Sequence, residues 1–159
     1  MQSVVMEKGS PHAWMLMPAF RARVMEFDRR YCVDGNATNI ANLFETCFAA
    51  GDPRMLGLAL MEVANGDVKM VGHLIAGVDT YHGVSTAVIY QYEKDNFDED
   101  VQGTNDLVQS VVDTWALGLG LHEVSALATS QGRAKHFERW GYRYSATLVT
   151  RRIGHGGQE

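Results

Sequence analysis

Two runs of charge come closest to chemistry in this 159-residue sequence. Glu93, Asp95, Asp98, Glu99, Asp100 and Asp106 lie within one short stretch, with Lys94 as the single opposing base. Carboxylates at this density offer hard oxygen ligands to a divalent cation, or a base to a proton. Their spacing is not that of an EF-hand loop, which needs a central glycine and a closing glutamate. A solvated acidic loop is the simpler reading. The counterpart run holds Arg133, Lys135, Arg139, Arg143, Arg151 and Arg152, with Glu138 as its one acid. Together the runs make a bipolar surface that could pair with a second copy or with another protein. Its candidate contact residues are Arg133, Arg139, Arg143, Arg151 and Arg152 against Asp98, Glu99 and Asp100.

Other reactive side chains are scattered. His73 falls in a strand pattern, His82 in a turn, His122 beside a strand and His136 on a short helix. No two share a face at metal-ligand spacing, so no metal site is expected. Cys32 and Cys47 form no CxxC pair, and both read as reduced thiols. The formal net charge of −5 disfavours nonspecific nucleic-acid binding, which needs the opposite sign. With 46% apolar and 21% charged residues, the composition is that of a globular chain rather than a disordered one. No run of about 18 apolar residues suggests a membrane span, and residues 1–9 lack a signal-peptide pattern. A cytoplasmic or particle-incorporated protein is the expectation.

These groups must be carried by regular elements. Residues 3–7 read as a strand. Phe20, Val24 and Phe27 give residues 19–31 one apolar helical face, with Pro18 in its first turn. Ile40, Leu43, Phe44 and Cys47 mark a second helix, capped by Thr38 or Asn39 and ended by Gly51. Residues 55–63, 68–79 and 84–92 alternate as strands, joined by turns at Asn65-Gly66-Asp67 and at residues 80–83. Tyr90 and Tyr92 then fall on one face, where strand packing explains them. Residues 104–119 form a clear helix with Leu107, Val108, Val111, Val112 and Trp115 inward. A strand at 123–129, a short helix at 132–140 and a last strand at 142–150 complete the order. The apolar stretch 13–20 suits either the core or a partner-facing patch. The whole reads as one α+β domain over residues 1–153, with a mostly antiparallel sheet flanked by helices. Residues 154–159 form a polar tail.

The last third of the chain resembles the GCN5-related N-acetyltransferase (GNAT) superfamily. The resemblance rests on the 104–119 helix with Trp115-Ala116, on the strand Glu123-Val124-Ser125-Ala126-Leu127, and on Ala134-Lys135-His136-Phe137-Glu138-Arg139-Trp140-Gly141-Tyr142. That last stretch looks like the family's "A..fYek.GF" ending. The resemblance implies a Q/R-x-x-G-x-G/A turn that cradles the pyrophosphate of acetyl-CoA on backbone N–H groups. Here the turn falls on residues 100–105. Gly103 matches, but Asp100 takes the Arg/Gln position and Asn105 the final glycine. Gly103, Thr104 and Asn105 are the implied cofactor-binding residues of a degenerate turn. Like charges near 4 Å repel by about 1 kcal/mol in water and about 4 at an effective dielectric of 20. A helix N-terminus returns only about 0.3–1 kcal/mol per anion. The acidic loop therefore opposes a pyrophosphate unless a cation such as Mg²⁺ bridges them. A tyrosine that often serves the family as general acid is replaced here by Phe137. Glu93, at the end of the strand lining the family's acceptor site, is the candidate base.

The resemblance thus implies a GNAT scaffold with a decayed acetyl-CoA site and no bound cofactor, serving as a structural or assembly subunit. Phage virions, which hold small GNAT-like proteins that it resembles, are one such setting. Protein partners or self-association are expected. The alternative is an acetyl-CoA-dependent N-acetyltransferase acting on a cationic amine.

Overall fold

The structure is a computed structural model and describes residues 1–31, 39–96 and 103–143. Its elements run β1 (Gln2–Val5), α1 (Pro11–Tyr31), α2 (Asn39–Ala50), β2 (Met55–Ala64), β3 (Asp67–Tyr81), β4 (Val84–Lys94), α3 (Thr104–Gly118), β5 (Val124–Ala126) and α4 (Gln131–Arg139). The five strands form one sheet in sequence order. Neighbours are antiparallel except β4 and β5, which run parallel across the α3 crossover. This is the expected α+β arrangement.

Alternation along the strands divides the core between the two sheet faces. Leu56, Leu58 and Leu60 of β2 join Leu74, Ile89, Tyr92, Val108, Val112 and Phe137, which places α3 and α4 on that face. Ala59, Met61 and Ile75 join Phe20, Val24, Phe44 and Phe48, which places α1 and α2 on the other. Gly57 is what lets α2 lie down: a Cβ there would stand 2.4 Å from the Phe44 ring. The β2–β3 and β3–β4 hairpins turn through Asn65-Gly66 and His82-Gly83, all four in the left-handed region. That is the two-residue turn whose twist matches the strands.

Several boundaries differ from expectation for physical reasons. The first helix begins at Pro11, not residue 19, and Pro18 lies inside it. Pro11 fits the first helical position, and Ser10 Oγ accepts the Ala13 N–H at 3.3 Å. Pro18 sits on the exposed side, where the carbonyl it leaves unpaired can meet water. The apolar stretch 13–20 is divided by this helix. Ala13 and Phe20 are fully buried, whereas Trp14 and Met15 are 52% and 77% exposed.

Tyr90 and Tyr92 do not share a face. The register jumps from Ile75↔Gln91 to Ala76↔Ile89, so Tyr90 is an extra residue in β4. Ile89 and Tyr92 therefore point toward α3, while Tyr90 packs with the α1 and α2 cluster. Gly77 makes the room, since a Cβ there would come within 2.6 Å of the Tyr90 ring. β5 is short, Val124–Ala126, and pairs with β4 only up to Ile89, just before the bulge. Of the expected last strand, Tyr142 and Arg143 are not in a strand. Residues 144–150, the 154–159 tail, Arg151 and Arg152 lie outside the described residues.

Candidate functional site

The sheet opens between β4 and β5. They pair only from Ala87↔Val124 to Ile89↔Ala126, and the Leu127 N–H then closes the ladder on Ile89 O at 3.0 Å. Past that point β4 continues to Lys94, while the chain after β5 turns into α4. Ser130 caps α4, its side chain accepting the Arg133 N–H at 3.1 Å.

The Arg133 side chain reaches into the opening. Arg133 Nη1 donates to Tyr92 O at 3.2 Å, on the β4 backbone. Its Nη2 donates to Glu93 Oε2 at 2.8 Å and reaches the Tyr31 hydroxyl, at the end of α1, at 3.4 Å. The guanidinium also stands over the Tyr31 ring, 5.9 Å from its centre. Arg133 thus passes from the α4 side of the sheet to the α1 side through the split. Sequence reasoning put Arg133 with the surface bases and Glu93 with the free acids. The structure leaves the two side chains only 15% and 17% exposed, paired with each other. Arg139 and Arg143 are exposed as expected.

The α3 N-terminus forms the floor of the opening. Gly103 caps it in the left-handed conformation, φ 70°, which suits glycine. Thr104 and Asn105 are buried. The Asn105 Oδ1 accepts the Tyr92 hydroxyl at 3.0 Å, so this side chain ties α3 to β4. Asp98, Glu99 and Asp100 lie outside the described residues. Phe137, in the position of the family's tyrosine, is buried and packs edge-on to Trp140 and Tyr142 with both ring centres at 5.3 Å. It serves as core.

A second concavity adjoins the first. A cavity of about 530 Å³ lies under α1, lined among others by Arg23, Glu26, Arg30, His73, Glu93 and Asp95. Its charges are largely cross-paired. Arg23 donates to Asp95 Oδ1 at 3.0 Å and to Met70 O at 3.1 Å. Arg30 lies 3.5 Å from Glu26.

Behind the cavity runs a buried relay. Gln91 Nε2 donates to Asp28 Oδ1 at 2.7 Å, and Gln91 Oε1 meets His73 Nε2 at 2.8 Å. The amide orientation is fixed by Asp28, so His73 Nε2 must carry the hydrogen. His73 Nδ1 is then a bare acceptor, and it has no partner among the described residues. Burial pushes His73 down to about 4, against a weaker upward pull from Gln91, so the ring is neutral near pH 7. Sequence reasoning missed this relay. One signal was there: Asp28 lies on the same helical stripe as Phe20, Val24 and Phe27, an acid on an apolar face. Among the described residues no three His, Cys, Asp or Glu side chains converge on a metal position. No helix there is long and apolar enough to cross a membrane.

No family model matches the chain, and no curated protein does. Solved structures do. A predicted acetyltransferase from Clostridium acetobutylicum, crystallised with acetyl-CoA, superposes with a TM-score of 0.65 at 9% identity over 95% of both chains. Glucosamine-6-phosphate N-acetyltransferase from Arabidopsis thaliana gives 0.63 at 11% identity, covering 97% of this chain and 100% of that one. A putative acetyl transferase from Pyrococcus furiosus gives 0.62 at 14%, covering 96% and 100%. At such identities the likeness speaks for architecture alone. The sheet split beside a glycine-capped α3, between paired helices on both faces, is the fold of the GCN5-related N-acetyltransferases.

Proposed function

We propose that this chain uses the GNAT scaffold as a non-catalytic binding or assembly subunit whose acetyl-CoA site has decayed. The observation that carries this reading is the state of Glu93. The candidate base has its carboxylate held by Arg133, and both side chains are mostly buried. Its Oε2 is engaged by the guanidinium and would have to leave it before meeting a substrate amine. The residues present also fit acetyl-CoA poorly. The Tyr92 carbonyl on the open β4 edge is taken by a guanidinium. Asn105 stands where the family's turn has glycine, and Phe137 where the family often has a tyrosine as general acid. Exposed Arg139 and Arg143 leave a basic surface for an acidic partner or a second copy. The reading is tested by melting temperature with millimolar acetyl-CoA or CoA, each with and without Mg²⁺, alongside light scattering. A ligand at about 100 times its Kd stabilises by about 2.7 kcal/mol. The expected result is no shift and a mass above that of one chain. A clear shift in a monodisperse monomer overturns it.

A second reading has its own support. The cavity under α1 carries Glu26, Glu93 and Asp95 beside Arg23, Arg30 and Lys94, so a cationic amine entering it would compete with those bases for the carboxylates. An acyltransferase with an atypical pyrophosphate turn would use it as its acceptor site. Asp100→Arg separates the two readings. Gain of CoA binding in that variant marks a decayed site, and loss of a measurable acetyl transfer marks a specialised one.

A further inference from the structure

We infer that His73 determines what the cavity under α1 accepts: its Nδ1 takes a hydrogen bond from a hydroxyl or amide donor, so the cavity binds small uncharged polar molecules. The argument starts from the tautomer. Gln91 Nε2 has two acceptors around it, Asp28 Oδ1 at 2.7 Å and Val24 O at 3.4 Å. Its Oε1 is therefore the atom that meets His73 Nε2, 2.8 Å away, and the ring hydrogen sits on Nε2. That leaves Nδ1 as a buried acceptor with no partner among the described residues, in a side chain that lines the cavity. A buried acceptor without a donor destabilises the fold, and a ligand that supplies the donor recovers that loss as affinity.

Charge decides which kind of donor fits. Three acids in the wall already hold bases: Asp95 with Arg23, Glu26 with Arg30 and Glu93 with Arg133. A cation therefore finds the carboxylates shared, and at Nδ1 it meets the Arg23 guanidinium, whose charge also disfavours a proton on His73. A carboxylate has no hydrogen to give Nδ1. A hydroxyl or amide N–H has one and brings no charge to be desolvated. Phe27 supplies the apolar side of the contact. Its ring lines the cavity and stands edge-on to His73, 5.9 Å between centres. Nδ1 has no open surface of its own, so a ligand reaches it as the Phe27 ring turns aside. The acyltransferase reading would use this same cavity, but the inference rests on the Asp28–Gln91–His73 relay and holds without acyl transfer.

The test titrates the full chain, without acetyl-CoA, with three molecules of one shape: benzamide, benzoate and benzamidinium. Benzamide is expected to bind at least about tenfold more tightly than either ion. It is also expected to move the ¹⁵N resonance of His73 Nδ1 upfield, assigned by through-bond correlation from the residue's own backbone, and to shift the Phe27 ring signals. In His73→Leu the preference for benzamide is expected to disappear. Equal or tighter binding of either ion overturns the proposal, as does an Nδ1 resonance that benzamide leaves in place. Both readouts come from wild type, so a folding defect in His73→Leu does not shield the proposal.

Discussion

The two faces of the sheet are packed by different chemistry. Toward α3 and α4 the core is aliphatic around Leu58, Leu60, Leu74, Ile89, Val108 and Val112. Toward α1 and α2 it is aromatic, and it encloses charge: Asp28, Gln91 and His73 lie in line behind Phe20 and Phe27. The His73 ring stands edge-on to both phenyl rings, 6.0 and 5.9 Å between centres. The α3 side buries one hydrogen bond too, from Tyr92 to Asn105, but its aliphatic centre tolerates loss of volume by collapse, at the cost of a cavity. A face with a buried relay also has hydrogen bonds to lose, so the same truncation does more there.

That contrast can be broken in graded steps. Phe20→Ala is expected to cost about 3–5 kcal/mol in urea unfolding, since the ring is fully buried and borders both Phe44 and His73. Val112→Ala on the opposite face is expected to cost clearly less. Equal losses would erase the distinction.

Acid is the next largest lever. His73 falls from 6.5 to about 4 on burial, so the folded state favours its neutral form. That contribution is complete above pH 6.5 and is lost as pH falls toward 4. The shift amounts to about 3 kcal/mol at 1.36 kcal/mol per unit. Stability measured across this window in wild type and in His73→Leu is expected to differ in slope, with the variant flatter. Parallel curves would remove His73 as the source.

Smaller effects probe the α3 and α4 face. Tyr92→Phe leaves the buried Asn105 Oδ1 without its donor, at about 1–3 kcal/mol by thermal unfolding. Ser130→Ala removes the α4 cap, at about 1 kcal/mol. Its clearest sign is faster amide exchange confined to α4, whose first turn the cap holds. Exchange that rises equally in α3 would mean that the two helices open as one unit.

Much of the scaffold was legible in the sequence. The apolar stripes of α2 and α3 and the Asn65-Gly66 turn carry their own period and turn chemistry, and each lies within a residue or two of its expected place. The GNAT fold was readable from the α3, β5 and α4 segments. What escaped reading depends on contacts between distant residues. Pairing of Glu93 with Arg133 spans 40 positions, and Gln91 with Asp28 spans 63. Local patterning says nothing about either. It sorted Arg133 with its basic neighbours, although position 133 faces the sheet split and positions 139 and 143 face water. The bulge at Tyr90 escaped for a related reason. A strict period of two has no place for an extra residue, so every facing assigned beyond it was reversed.

That single residue acts on β4 as an inserted base acts on a reading frame. Upstream of Tyr90 the strand is in one phase, and downstream in the other. The bulge absorbs the shift by putting Tyr90 and Gln91 on the same face, so Gln91 meets His73, Tyr92 meets Asn105 and Glu93 enters the cavity. Deleting Tyr90 would make Ile89 and Gln91 neighbours on opposite faces, where each already points, so every later side chain would keep its side of the sheet. The cavity would keep its Glu93 carboxylate and the split its Glu93–Arg133 pair, and the loss would fall on the space over Gly77 that the Tyr90 ring now fills.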